Sequence, residues 1–202
     1  MAITPEAVEE ASARWGLAAI ASPVADRLAA YGNLLLQWNT RLSLTAIRDE
    51  TELIERHLME GLFAAAHHPV ARTALDFGSG TGIPGIPIAI CRDEIRVTLA
   101  ESQRKKSAFL QEALRKLKLH ASVHPDRAEL LPSADFDAVW MRAVDKRARM
   151  LPLAANLVAP GGALCLFSTS AAPNSFDREH WQWKSHPLPG ANVRVLHIGR
   201  RV

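Results

Sequence analysis

Apolar positions in the first seventy residues recur at the spacing of α-helices. A helix starting at Ser22 carries five apolar side chains at intervals of three and four on one face: Val24, Leu28, Tyr31, Leu35 and Trp38. Shorter helices are expected after Thr4, which precedes Pro5 as an N-cap, and after Asp49. Residues 39–47 break the periodicity and are expected to form an extended connector. The pattern therefore predicts a helical extension, residues 1–70, packed on a domain formed by residues 71–202.

The pattern changes after residue 70 to short apolar runs that alternate with helices. Strands are expected near residues 73–75, 96–101, 121–124, 136–141 and 163–167, with a closing pair within 181–184 and 193–199. Helices are expected up to Cys91, over 102–119 and over 146–158, with a turn at Pro160-Gly161-Gly162. This alternation predicts an α/β fold whose sheet is mostly parallel, with an antiparallel closing strand.

A glycine-rich turn follows the first of these strands. Residues 73–87 read TALDFGSGTGIPGIP, with Asp76 at the strand end and Gly78, Gly80 and Gly82 in the turn. Glycines permit positive φ and let a ligand approach the main chain. The turn lacks the Gly-Lys-Ser/Thr ending of a phosphate-binding loop, and its spacing differs from the G-x-G-x-x-G of dinucleotide-binding proteins. The Asp-x-Gly-x-Gly-x-Gly pattern resembles the first motif of S-adenosylmethionine-dependent methyltransferases, whose cationic ligand suits the Asp76 carboxylate. A purely structural turn is the alternative.

Polar side chains also stand at the carboxyl ends of the later strands. Glu101 ends the second strand, Ala128-Glu129 follow the third, and Arg142 follows the fourth. Ligands of open α/β sheets bind at these ends, so we expect one pocket shared with Asp76. The Glu101 carboxylate can accept hydrogen bonds from both ribose hydroxyls of an adenosine, in NAD or in S-adenosylmethionine. The alternative is that Glu101 is only a solvated residue at the end of a strand.

Composition indicates the general class of protein but does not select a function. The 202 residues are 48% hydrophobic and 22% charged, with a net charge of +3, which is typical of a soluble globular protein and permits a polyanionic partner. Cys91 and Cys165 lie in separate apolar runs and predict reduced thiols in a cytoplasmic protein. No signal-peptide pattern and no apolar run of membrane-spanning length is present in the sequence. The eight histidines show no metal-ligand spacing, so we expect no metal.

The predicted helix after Glu101 is amphipathic and strongly basic. Its beginning carries Arg104, Lys105 and Lys106, next to the expected cofactor pocket. Contact with RNA phosphates and a merely solvated helix face both remain open for this cluster.

Longer motifs make the chain similar to one family. They are Trp38-Asn39, Leu44-Thr45, Arg56-His57-Leu58, the 76–87 loop with its Pro-Gly-Ile-Pro, Glu101-Ser102, Lys105-Lys106, Phe109-Leu110 and Arg142-Ala143. Over nearly its whole length the chain resembles the small-subunit ribosomal RNA methyltransferase G family, also called glucose-inhibited division protein B. The resemblance implies a Rossmann-like methyltransferase fold with S-adenosyl-L-methionine as cofactor. It further implies methylation of N7 of a guanine in 16S rRNA, with the 30S subunit as partner, and we expect a monomer.

The resemblance also implies site residues. Carried over by position, the cofactor contacts are Gly78, Ile83, Glu101, Ser102, Gln103, Ala128, Glu129 and Arg142. Arg56 and His57 are expected to contact RNA together with the basic cluster Arg104, Lys105 and Lys106. The chain departs from the family pattern at Ser43, usually Asn, at Glu60-Gly61, usually Asp-Ser, and at Ser168 and Thr169, near a common Lys-Gly. The departure at Ser168 and Thr169 affects a position at which the family is expected to contact RNA or the active site.

Methylation of guanine N7 fits these residues chemically. N7 carries an in-plane lone pair and no proton, so no strong general base is needed. Alignment of the reacting groups alone can lower the activation free energy by roughly 7–11 kcal/mol in well-oriented systems. Arg142 is the residue that we expect to carry the transfer by holding the guanine, and a structural ion pair with Glu129 or Asp145 is the alternative. A small-molecule methyltransferase, a non-catalytic RNA-binding or ribosome-assembly module and, more distantly, a nicotinamide oxidoreductase stay open.

Overall fold

A seven-stranded sheet forms the centre of the protein. The computed structural model describes residues 2–131, 135–143, 147–169, 179–190 and 193–202. Within these ranges the strands are β1 (Thr73–Phe77), β2 (Arg96–Ala100), β3 (Ala121–His124), β4 (Phe136–Met141), β5 (Val158–Ser168), β6 (Trp181–Pro187) and β7 (Val195–Arg201). Their order is β3-β2-β1-β4-β5-β7-β6; the pairs among β1 to β5 are parallel, and β7 is antiparallel to both neighbours. The predicted α/β fold with an antiparallel closing strand is confirmed.

Helices lie before the sheet and between its strands. They are α1 (Pro5–Arg14), α2 (Ser22–Leu42), α3 (Glu50–Leu53), a π-helix (Ile54–Leu58), α4 (Met59–Ala66), α5 (Gly85–Cys91), α6 (Arg104–Leu117), a 3-10 helix (Ala128–Leu130) and α7 (Arg147–Asn156). The first begins as expected, because the Thr4 hydroxyl accepts a hydrogen bond from the Ala7 N–H at 3.2 Å and Pro5 follows the cap. In the described part of the chain, no helix combines the length and the apolar character needed to cross a membrane.

The N-terminal helices support the glycine loop directly. Tyr31 of α2 is fully buried, with its ring centroid 6.5 Å from that of Phe109 in α6. Trp38 meets the Phe109 ring edge-on at 5.7 Å, which makes it a packing residue at this junction. The Tyr31 hydroxyl donates a hydrogen bond of 2.6 Å to the Thr81 carbonyl oxygen inside the loop. The packing of α2 on α6 therefore also fixes the loop from behind.

The predicted extended connector over 39–47 is wrong for its first residues. α2 continues to Leu42 and ends at Ser43, which has a left-handed φ of 48°. Asn39 makes this possible, because its side-chain amide donates to the Ile47 carbonyl at 2.8 Å and its oxygen accepts from the Thr45 N–H at 2.9 Å. A buried side chain thus closes the connector back onto the helix end.

The predicted turn at 160–162 is also wrong, because β5 runs through it. The β4–β5 register shifts between Phe136 and Ala138, and β5 absorbs the irregularity at Gly161, where φ is 72°. A β-carbon on Gly162 would lie 2.9 Å from the Asp137 carbonyl oxygen, so the two strands approach closely here. The helix predicted to start at 146 is described from Arg147 onward, and residue 146 lies outside the described ranges.

Candidate functional site

The turn between β1 and α5 holds three glycines in the left-handed region. Their φ angles are 71° at Gly78, 58° at Gly80 and 95° at Gly82. A β-carbon on Gly82 would lie 2.5 Å from Cδ1 of Ile86, so space as well as backbone conformation requires glycine there. A β-carbon on Gly80 would meet nothing closer than the Gly78 carbonyl oxygen, at 3.9 Å. The main chain at Gly80 therefore borders open space that a ligand can enter.

Asp76 joins the end of β1 to the first turn of α5. Its Oδ2 accepts a hydrogen bond from the Gly85 N–H at 3.0 Å, and the residue is only 1% exposed. Burial raises the pKa of the Asp76 carboxyl to about 7, although the Gly85 N–H and the charge of Arg142 oppose the rise. The structure thus gives Asp76 a supporting role in the loop, and its direct contact with a cofactor stays a prediction.

Glu101 is held in place by two main-chain amides. Its Oε2 accepts from the Gly80 N–H and its Oε1 from the Gln103 N–H, both at 2.8 Å. The residue is 7% exposed, and its own carbonyl oxygen accepts from the Ser107 hydroxyl at 2.5 Å. Each carboxylate oxygen keeps a further lone pair, so a fixed anion stands beside the open space at Gly80. This arrangement fits the ribose hydroxyls of an adenosine and gives a physical reason for the glycine at position 80.

The other predicted cofactor residues lie around the same edge of the sheet. Ser102 and Gln103 are exposed between β2 and α6, and Ile83 is a buried residue of the glycine loop itself. Ala128 is buried and Glu129 half-buried on the 3-10 helix that follows β3. Their contacts with a cofactor stay predictions.

Arg142 forms an ion pair with Glu60, a partner that the sequence did not suggest. Its Nε donates to Oε2 of Glu60 at 2.7 Å, and its Nη2 donates to the Arg56 carbonyl oxygen at 2.9 Å. Burial lowers the pKa of Arg142 to about 10, and the guanidinium stays charged at neutral pH. Asp145, one of the two suggested partners, lies outside the described ranges.

A cavity of about 180 Å³ opens beside Arg142. Its lining consists of Arg56, Glu60, Arg142, Ala143, Phe167, Ser168, Thr169 and Arg194. Three guanidinium groups and one aromatic ring in a space of this size can bind a flat, electron-rich base together with its phosphate. Ser168 and Thr169, the positions at which the sequence departs from the family pattern, lie in this lining.

Sequence reasoning placed Arg194 and Phe167 in strands but missed both as site residues, and it marked Glu60 only as a departure from the family pattern. Arg194 stands outside every motif, and its side chain reaches the cavity only because β7 pairs with β5. Register places Val195 opposite Ser168, so the residue before β7 lies at the carboxyl end of β5. Only the strand pairing carries that information.

The charged residues at the ends of β1, β2 and β4 are close enough to influence one another. Arg142 lowers the pKa of Asp76, Glu101 raises it, and Asp76 in turn stabilises the charged form of Arg142. Tyr31, whose pKa burial raises strongly, also lies within reach of the Arg142 charge. The strand register pairs Phe77 with both Ala100 and Met141, so the three charged residues stand at the same edge of the sheet, and their sharing of one pocket stays a prediction.

The predicted RNA contacts divide into exposed and buried residues. The Arg56 side chain is 52% exposed at the cavity, Arg104 and Lys105 are exposed, and Lys106 is half-buried at the start of α6. His57 is only 5% exposed, so in this structure the predicted direct contact with RNA is wrong. Burial, and then the charge of Arg142, lower the pKa of His57 to about 3, which keeps the ring neutral. His57 is an internal residue because the π-helix turns it toward the core.

The described residues contain no group of three or more His, Cys, Asp or Glu side chains placed to hold a metal ion.

The chain is similar in sequence to known rRNA methyltransferases. The family profile described as rRNA small subunit methyltransferase G matches residues 25–201. Ribosomal RNA small subunit methyltransferase G of Xanthomonas euvesicatoria is 43% identical over 149 residues, which are 73% of this chain and 68% of that protein. The protein of the same name from Neisseria meningitidis is 40% identical over 154 residues, 74% of either chain. A relative from Xanthomonas campestris is matched over 64% of its length, slightly less than two thirds.

Solved structures share the fold at low sequence identity. An O-methyltransferase from Bacillus cereus in complex with SAH has a TM-score of 0.62 at 16% identity, covering 86% of this chain and 91% of that one. A tRNA m1G37 methyltransferase from M. jannaschii has a TM-score of 0.55 at 12% identity, covering 71% and 48%. These structures confirm the methyltransferase fold. Together with the family profile over residues 25–201, they lead to one conclusion: this chain belongs to the rRNA small subunit methyltransferase G family.

Proposed function

We propose that this protein transfers a methyl group from S-adenosylmethionine to N7 of a guanine in 16S rRNA. The single observation that carries the proposal is the adjacency of two features at one edge of the sheet. One is the carboxylate of Glu101, fixed beside the open space at Gly80, and the other is the arginine-lined cavity beside Arg142. The first suits an adenosine and the second suits a base with its phosphate. Family membership supports both assignments.

The residues present fit S-adenosylmethionine. When bound, this cofactor supplies an electrophilic methyl group, which the in-plane lone pair of guanine N7 can attack. Glu101 would accept hydrogen bonds from the ribose hydroxyls, and the glycine loop would admit the ligand to the main chain. Residues 1–70 would serve as an extension that supports this loop on the 71–202 domain, since Tyr31 binds Thr81.

Arg142 would orient the guanine in the cavity. Its Nε and Nη2 are already engaged by Glu60 and Arg56, which leaves other N–H groups of the fork available to a base edge. A guanidinium pairs well with guanine O6, and a hydrogen bond there leaves N7 free for attack. The work of the protein is then alignment, since N7 has no proton to lose.

The thiols support this mechanism over one with a covalent intermediate. Burial raises the pKa of Cys91 to about 12 and also raises the pKa of Cys165. Both groups stay protonated at neutral pH and are poor nucleophiles. Direct transfer to a ring nitrogen needs neither of them.

The exposed basic residues favour RNA over a small molecule as substrate. Arg56 at the cavity and Arg104 and Lys105 at the start of α6 offer cations to a phosphate backbone. We infer further that the protein acts as a cytoplasmic monomer on the 30S subunit or its rRNA.

The experiment is single-turnover methylation with radiolabelled S-adenosylmethionine, using 30S subunits and protein-free 16S rRNA in parallel. We expect incorporation at guanine N7 by the wild-type protein and a loss of at least about 100-fold for Arg142→Lys. Lysine keeps a charge beside the buried Glu60, but a single ammonium cannot reproduce the planar fork. Arg92→Lys, in an exposed pair with Glu94, is the matched control. Full turnover by a folded Arg142→Lys variant would remove Arg142 from the reaction, and no incorporation by the wild type would refute the proposed function.

A further inference from the structure

Glu60 is a carboxylate buried between two guanidinium groups. It is the second residue of α4, directly after the π-helix, and its side chain is 3% exposed. Oε2 accepts from Nε of Arg142 at 2.7 Å, and Oε1 forms an ion pair with Nη1 of Arg194. A carboxylate at this depth is stable only because both of its oxygens are paired with cations.

The two arginines reach Glu60 from either side of β5. Arg142 follows β4, and Arg194 precedes β7, and β5 lies between these strands in the sheet. The carboxyl end of β5, with Phe167 and Ser168, lines the cavity between them. One carboxylate therefore sets the positions of two cations that come from sequence positions more than fifty residues apart.

The local backbone explains why Glu60 stands at this depth. A β-carbon on the next residue, Gly61, would lie 2.3 Å from Cγ of Pro87, so only glycine lets α4 approach α5 this closely. In the preceding π-helix, the Arg56 carbonyl oxygen is turned to accept from Nη2 of Arg142. Arg142 is thus held at two of its nitrogens, from one helical segment.

We propose that Glu60 is a positioning residue that fixes Arg142 and Arg194 in the lining of the cavity and aims them at the target nucleotide. This inference rests on the proposed function of the cavity. It assigns Arg194 as the second residue whose guanidinium contacts the nucleotide. The group that this partly exposed cation suits is the phosphate of the nucleotide. Without the Glu60 charge, the two neighbouring guanidiniums repel each other, and each loses its fixed orientation.

The test compares Glu60→Gln and Glu60→Asp with the wild type. Gln keeps the size and one acceptor oxygen, whereas Asp keeps the charge on a shorter side chain. We expect cofactor affinity to stay within about twofold in calorimetry, because Glu60 does not touch the glycine loop. The single-turnover rate is expected to fall at least about tenfold in Glu60→Gln and less in Glu60→Asp, with the amplitude of the reaction unchanged. Glu55→Gln, on the same helical segment but paired with Arg14, is the control.

The single-turnover rate and the reaction amplitude together distinguish a positioning role of Glu60 from a role in folding. A merely structural role would lower the amplitude, the melting temperature and the cofactor binding together. Full rate in a folded Glu60→Gln variant would overturn the proposal, and so would failure of both variants to fold, since Glu60 would then be a structural ion-pair partner.

A spectroscopic readout keeps this inference distinct from the proposed function. In protein labelled with ¹⁵N-arginine, the Arg142 Nε–H should exchange slowly with water in the wild type and quickly in Glu60→Gln; Arg142→Lys assigns the signal. This result does not depend on methyl transfer. If the wild type methylates no rRNA, the proposed function fails, whereas an Nε–H unaffected by Glu60→Gln overturns the positioning role by itself.

Discussion

Replacement of Glu101 by Gln tests the cofactor pocket with the smallest change in shape. In the wild type both carboxylate oxygens accept from main-chain N–H groups, those of Gly80 and Gln103, at 2.8 Å. Glutamine keeps the volume but replaces one oxygen with an NH₂ group. Whichever way the amide turns, one donor faces another donor, and one main-chain N–H is left without its partner.

The magnitude follows from these hydrogen bonds. A hydrogen bond to a charged group contributes about 1.5–3 kcal/mol, and Glu101→Gln removes one such bond and weakens the other. The loop therefore becomes less rigidly shaped, and the ribose hydroxyls no longer meet an anionic acceptor. We expect S-adenosylmethionine binding to weaken by about 1–3 kcal/mol, which corresponds to about 5- to 150-fold in Kd.

The assay is isothermal titration calorimetry with S-adenosylmethionine, paired with a thermal melt of each variant. Glu112→Gln is the matched control, because Glu112 is also a glutamate paired with cations, Arg115 and Lys116, but on the exposed face of α6. We expect the control to bind like the wild type. Unchanged affinity in a folded Glu101→Gln variant would refute the assignment of Glu101 to the cofactor, and equal weakening in both variants would show that the effect is not local.

Three further predictions address RNA, stability and pH. Replacing Arg104, Lys105 and Lys106 together by Gln should reduce the slope of log K for rRNA binding against log salt concentration by about 0.7 for each phosphate that the variant no longer neutralises. The measurement is filter binding across a salt series, and an unchanged slope would show that the cluster is only a solvated helix face. Ser43→Asn should stabilise the fold by a few tenths of a kcal/mol in urea unfolding, because Ser43 has a left-handed φ of 48° and Asn tolerates that region better; destabilisation would contradict this reasoning. The wild type should become less stable as pH rises from about 4 to 7, because the native Asp76 carboxyl, with its pKa of about 7, binds more protons in that window than it does in the unfolded chain. In Asp76→Asn this dependence of stability on pH should disappear. The full effect is roughly 4 kcal/mol, read from urea unfolding at several pH values, and identical pH profiles of the two proteins would contradict it.

The fold was predictable because its signals are local. Strand runs such as 136–141, the glycine turn after Asp76 and the cap at Thr4 each need only a few neighbouring residues to specify them. The errors occur where a distant or buried interaction overrides the local pattern. Asn39 extends α2 by closing the connector with its side chain, and pairing with β4 carries β5 through Gly161.

The candidate site was predictable only in part for the same reason. Strand ends marked Glu101 and Arg142, since parallel strands bring their carboxyl ends together. The partners of these side chains were not predictable, because Glu60 lies 82 residues from Arg142 and Gly80 lies 21 residues from Glu101. His57 shows the converse error, in which a motif residue expected at the RNA surface is buried by the π-helix that contains it.

The most direct test of the central claim is mass spectrometry of nucleosides from 16S rRNA of cells with and without this protein. We expect 7-methylguanosine to decrease when the protein is absent, and to be restored by the wild type but not by Arg142→Lys. An unchanged amount of 7-methylguanosine in cells that lack the protein would contradict the proposed methylation of guanine N7.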